Sequence, residues 1–328
     1  YAISGDKSYD TIAFWDEDIV GADIFKGGLV TLTDNTLAVY SRGLYRYSAH
    51  SVVLHTPVLK VNDTYILAFD RGGTVAYIAD SFDLLHTLAT YGQIIDAGMS
   101  EDGYTYTVTE SYGYKARLTV YDEDMREIFF WDSSDCYLMS AAFADDMIYA
   151  VSIVPNGAYI DTYIHCIDYT SGKVVGENIV SSAMPLSWAV KSGGEFELVS
   201  DDGIYIVDVD SMQRVYSFAY APERLIQNED FVIYSYSEYS YSPASTVVLV
   251  DSGGQELFAL QIEELSYIHS AGRYVQLISD GSLMILDTLG NTVLEKELDI
   301  ESSRLITDGE VFVLLDADKA YRLDLEIS

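Results

Sequence analysis

The stretch Leu118-Thr119-Val120-Tyr121-Asp122 is a run of β-favouring residues that stops at an aspartate, and the chain repeats it. Moving outward in both directions, apolar stretches stop the same way at Asp80, Asp168, Asp208, Asp251, Asp287 and Asp324, and one stops at Ser41. From Ser41 to Asp324 the successive spacings are 39, 42, 46, 40, 43, 36 and 37 residues. A period of that length is what a four-stranded propeller blade requires. Two further registers accompany the first. One set of β runs ends at Asp34, Asp70, Glu110, Asp201, Asp280 and the Asp316/Asp318 pair. One strand earlier come tight turns such as Lys26-Gly27-Gly28, Asn62-Asp63, Ser100-Glu101-Asp102-Gly103, Gly193-Gly194 and Asp308-Gly309. These residues turn a chain by accepting positive φ or by bonding their own backbone.

Between the turns lie short runs rich in Val, Ile, Tyr, Thr and Phe, with no sustained helical periodicity and only five prolines. The expectation is an all-β, eight-bladed β-propeller with four antiparallel strands (a to d) per blade. A seven-bladed ring with one unit as an irregular loop is the alternative count. As one propeller domain over residues 1–328, the blades fall near 22–50, 51–92, 93–135, 136–183, 184–223, 224–264, 265–301 and 302–328. The last unit has room for three strands only. Ile12-Ala13-Phe14-Trp15-Asp16 echoes Ile128-Phe129-Phe130-Trp131-Asp132, which falls at the d position of blade three. Residues 10–18 are therefore expected to supply the missing d strand and close the ring, removing an edge that would template aggregation.

Formal net charge is −34, from 18 Lys+Arg against 52 Asp+Glu. Such a surface repels phosphate backbones and anionic headgroups, so nucleic acid and direct lipid binding are excluded as partners. No run is long and apolar enough to span a bilayer. Because the chain starts at Tyr1, a mature form or fragment is expected, with any membrane anchor ahead of it. Cys136 and Cys166 lack metal or redox spacing and are expected to be buried free thiols.

The residues GGLVTLTDNTLAVYSRG at 27–43, TPVLKVNDTYILAFDRGG at 56–73, MSEDGYTYTVTES at 99–111 and LTVYDEDMREIFFW at 118–131 carry a resemblance. They resemble an uncharacterised family of bacterial, membrane-anchored extracellular propellers, common in Gram-positive anaerobes. More distantly, the blades are similar to quinoprotein-type and WD40-like repeats. The resemblance implies a single-span protein whose propeller lies at the extracellular face of the cytoplasmic membrane. It implies no active site, and a shared fold does not supply one.

The chemical motifs are weak one by one. Ser100-Glu101-Asp102-Gly103-Tyr104-Thr105-Tyr106 approaches a sialidase-type Asp box but is a residue short and lacks its Trp. Three tryptophans, Trp15, Trp131 and Trp188, are too few for the docking motifs of a quinone enzyme. The five histidines have no paired metal spacing, and G-x-S-x-G and phosphate-loop motifs are absent. No cofactor is expected.

What stands out is loop length. In a propeller the b–c and d–a connections open on one face, and three b–c connections read as extended. They are Ser111–Lys115, Val154–Tyr159 and Tyr234–Ala244, the last reading YSYSEYSYSPA. Tyr and Ser together suit adaptable recognition surfaces. The candidate binding residues are Tyr112, Tyr114, Tyr159, Tyr236, Tyr239 and Tyr241. The expected function is a monomeric, non-enzymatic scaffold recognising a protein or glycan at the cell envelope. The alternative is a carbohydrate-active enzyme with a carboxylate pair in the central funnel.

Overall fold

The computed structural model describes residues 11–13, 18–191, 194–239, 242–298, 304–315 and 319–323. They form eight sheets of four antiparallel strands with no helix among the described residues, an eight-bladed β-propeller. In blade three the order is Ile94–Met99, Thr105–Thr109, Ala116–Tyr121 and Glu127–Ser133, and the other blades repeat it. The a strands of neighbouring blades touch one another, so they line the axis. The d strands alternate exposed and covered residues at the rim, as in Arg46–Ser51. Strand b is the most enclosed. Ile66–Asp70, Thr105–Thr109 and Phe196–Ser200 are buried along their whole length, because each is covered on both faces by a neighbouring blade. That double burial accounts for their near-continuous β-favouring runs.

Every junction between neighbouring blades holds its own apolar cluster. Between blades three and four, Val108, Leu118 and Val120 meet Leu138, Ile148 and Ile167. At the seam between blades one and eight, Leu29, Ala38 and Leu44 meet Val313, Leu315 and Ala320, with Ile12 packed alongside. The core is thus a ring of eight junctions around the axis.

The ring closes as the sequence predicts. Thr11–Ala13 is the outer strand of the last sheet, with Thr11 opposite Tyr321, Ile12 opposite Ala320 and Ala13 opposite Lys319. Phe14, Trp15 and Asp16 lie outside the described residues. Strand d of blade one runs on to Ser51, so strand a of blade two begins at Pro57, later than the repeat alone places it.

The periodic aspartates have one local job. Asp80, Asp122, Asp251 and Asp287 each accept two backbone N–H groups across the c–d turn, as with Gly253 and Gln255 on Asp251 Oδ1. Ser41, in the same place, accepts one such bond through its hydroxyl, from the Tyr45 N–H. The c–d register slips beside these turns, at Val39/Tyr40, Ile78/Ala79, Val120/Tyr121, Cys166/Ile167, Leu249/Val250 and Ile285/Leu286. Such bulges add local twist, which lets each outer strand turn away from its blade plane. Cys136 and Cys166 are buried and unbridged, and burial pushes the Cys166 thiol up to about 12.

Candidate functional site

Because every blade runs a to d in the same sense, all b–c connections open at one end of the ring, together with the d–a connections. Tyr112 and Tyr114 lie on the blade-three connection, fully and half exposed. Tyr159 is 64 % exposed, but its surroundings differ from the expected loop. Strands Met147–Asn156 and Tyr159–Asp168 stay paired as far as Asn156 opposite Tyr159. The blade-four extension is therefore a β-hairpin turning at Gly157-Ala158, where Gly157 takes φ 65°. A glycine at the first of two turn residues, as in Gly157-Ala158, is a hairpin signal that outweighs the nearby proline.

In blade six, strand b runs Phe231–Tyr236, so Tyr236 belongs to the sheet and sits opposite Thr246. It is half-buried, stacked on Tyr220 at 4.9 Å and 18° and on Tyr234 at 6.1 Å and 25°. Tyr234 is buried, and its hydroxyl lies 3.1 Å from that of Tyr216, which donates to Glu256 at 2.9 Å. Burial first, then the Tyr216 contact, push the Tyr234 phenol far up. Tyr239 stands beyond this ladder at 74 % exposed, and Tyr241 lies outside the described residues. The residue that sequence reading missed is Tyr220, half exposed on the d–a connection into blade six. Its signal was available: d–a connections share the b–c end, and Tyr220 stands on the short link between two strands.

The axis carries a second, polar arrangement. Asp96, on strand a of blade three, is buried and held by groups from three blades. Lys60 Nζ of blade two meets its two oxygens at 2.8 and 2.9 Å. The Tyr106 hydroxyl donates to Oδ2 at 2.9 Å and the Ser140 hydroxyl of blade four at 2.5 Å. Gly98 makes this possible, since a Cβ there would sit 2.4 Å from the Tyr106 ring. Burial, then the Asp96 charge, hold the Tyr106 phenol well above its usual range, so it stays a donor. Cavities flank Lys60 on either side. One of about 560 Å³ opens among the a–b turns beside Asn62, Glu101, Asp102 and Asp145. Another of about 510 Å³ lies toward the b–c end beside Arg71, Met139 and Trp188.

One constellation imitates catalytic geometry, with its serine and histidine buried and its glutamate exposed. Glu177 Oε2 lies 3.2 Å from His165 Nδ1, and His165 Nε2 lies 3.1 Å from Ser152 Oγ. Ser152 is fully buried and lines none of the cavities described, so no substrate carbonyl can reach it. Trp131 of blade three packs on the His165 ring at 4.8 Å, which makes the chain a blade-to-blade contact. Between blades five and six, Lys191 Nζ meets Glu197 Oε1 at 2.6 Å, and Gln227 donates to the same oxygen at 2.8 Å. Among the described residues no group of three His, Cys, Asp or Glu is placed to hold a metal ion, and no helix is long and apolar enough to cross a membrane.

The family of unknown function DUF5711 matches residues 5–325, and the chain belongs to it. No curated protein matches the sequence. Among solved structures, BamB from Moraxella catarrhalis is similar at TM-score 0.62 and 14% identity, with 95% of each chain covered. The WD40 domain of SCAP from fission yeast is similar at TM-score 0.60 and 9% identity, covering 96% of this chain and 97% of that one. Apo AztD from Citrobacter koseri follows at TM-score 0.58 and 14% identity, with 93% and 89% covered. At such identities the likeness is one of fold.

Proposed function

We propose that this DUF5711 propeller is a binding scaffold that docks a protein partner on the end of the ring carrying its b–c and d–a connections. The observation that carries the reading is the aromatic ladder of blade six. Buried Tyr234 anchors half-buried Tyr236, which stacks under half-exposed Tyr220, with exposed Tyr239 beyond. Rigid aromatic area of this kind gives contact surface at low entropic cost. Tyr112, Tyr114 and Tyr159 extend the same end across blades three and four. The finer setting belongs to the proposal as well: a monomer at the cell envelope, on the outer side of the cytoplasmic membrane and tethered by an anchor. The family resemblance and the acidic surface support it.

The test is a pull-down from envelope extract with the parent and a Tyr220→Ser/Tyr239→Ser variant, both proteins matched for thermal midpoint. A protein retained by the parent and lost by the variant supports the reading. Equal retention by both, or none by either, removes it, and retention of a glycan alone replaces the partner class.

Hydrolysis by funnel carboxylates has one observation behind it. Burial holds the Asp23 carboxyl above its usual range, and Asp308 of the neighbouring blade adds to the rise. Asp308, however, caps its own turn through the Glu310 and Val311 N–H groups. Release of reducing sugar from cell-wall glycan that disappears in Asp23→Asn would favour this second reading.

A further inference from the structure

We propose that the axial cavity between Lys60 and Arg71 is a binding site for a single carboxylate carried on an apolar body. This site is separate from the tyrosine surface and does not depend on it. The cavity, about 510 Å³, is walled by the a strands of blades two to five and by Arg71 just beyond strand b of blade two. Its size is that of a small-molecule site.

Charge points to the ligand. In a chain of net charge −34, two cations line this cavity against one carboxylate. That carboxylate is spent: Asp96 already accepts from Lys60, Tyr106 and Ser140, and it fixes the ammonium in place. Arg71 has no hydrogen-bond or ion-pair partner for its guanidinium among the described residues. It therefore offers an unmatched planar donor pair, the geometry that a carboxylate fits. Met139, Leu138, Ile95 and Trp188 form the rest of the wall and supply the apolar complement.

Polarity along the axis sets the direction of entry. Past Lys60, the other axial cavity is lined by Glu101, Asp102 and Asp145, which repel an anion. Arg71 also lines a cavity of about 610 Å³ that opens beside Val53, His55 and Thr56 on the d–a connection. An anion thus enters from the b–c end, meets Arg71 first and stops at Lys60. The carboxylate can belong to a small organic acid or to the chain end of a peptide.

Calorimetry on the whole chain distinguishes these. The probes are 3-phenylpropionate, its uncharged amide, and the peptide Gly-Gly-Phe with a free or an amidated C-terminus. At least one free acid is expected to bind below about 1 mM, with its amide weaker by about ten-fold or more. Arg71→Gln, an exposed position, is expected to cost a similar factor with an unchanged thermal midpoint. Binding of the propionate identifies a small acid, and binding of the peptide alone identifies a chain end. No binding by either acid, equal binding of acid and amide, or full affinity in Arg71→Gln would each overturn the proposal.

Discussion

Asp70 and Asp251 both end a β run, and both accept two backbone N–H groups, yet they differ in burial. Asp70 is enclosed and accepts from His55 N at 2.8 Å, Thr56 N at 2.7 Å and the His55 ring at 3.1 Å. Asp251 caps an open turn. Asp70→Ala removes three bonds to an enclosed carboxylate, against two on an open turn for Asp251→Ala, so the first is expected to destabilise by about 1–3 kcal/mol and the second by under about 1 kcal/mol. Urea midpoints of the two variants check the ordering. Burial alone would raise the Asp70 carboxyl, but the bonds from Thr56 and His55 outweigh it and hold it low. A carboxyl lowered in the fold contributes stability above its unfolded value near 3.8, and that contribution is lost as pH falls through the folded value. At Gly98 the limit is steric: Gly98→Ala is expected to displace Tyr106 and cost about 1–3 kcal/mol in the same assay.

Among elements, the closing strand is the most exposed to test. Ile12 pairs with Ala320 and packs on the blade-one and blade-eight cluster. Ile12→Asp places a charge against that cluster and frees the edge of Lys319–Leu323, so it should lower the thermal midpoint and raise light scattering on heating. An unchanged midpoint would mean the seam holds without its outer strand. The elements also show where sequence reading succeeds. Blade count and closure were legible because they depend on local signals, Asp-ended runs and Gly-bearing turns that recur at one period. Hairpin extension in blade four is hidden in the sequence because Val154-Pro155 reads as a loop, although Pro155 is accommodated opposite Ile160. The axial site was not legible at all. Lys60, Arg71, Asp96, Ser140 and Trp188 come from four blades, and nothing in their own neighbourhoods marks them. Their meeting is set by ring geometry, as is the contact of Trp131 with His165.

For the molecule as a whole, charge sets the response to solvent. With a net charge of −34, self-repulsion opposes compaction, and raising NaCl from about 10 mM to about 200 mM is expected to raise the thermal midpoint. A flat or falling midpoint would show that the charges are locally compensated. Histidine burial adds a pH dependence. Burial lowers His269 from its usual 6.5 despite its bond to the Thr307 carbonyl, and burial lowers His165 despite Glu177. Neutral forms are favoured in the fold, so this stability is complete above about pH 6.5 and is lost as pH falls from there toward the folded values. His269→Gln should flatten the decline in midpoint between about pH 7.5 and about pH 5.5. Closure has a mechanical consequence too. Thr11–Ala13 runs antiparallel to Lys319–Leu323, with Thr11 across from Tyr321. A pull applied between Thr11 and Leu323 therefore opens their pairing one rung at a time, as a zip parts, and never loads those bonds together in shear. Under tension the ring would give at its clasp first, at low force, before any blade interior bears load.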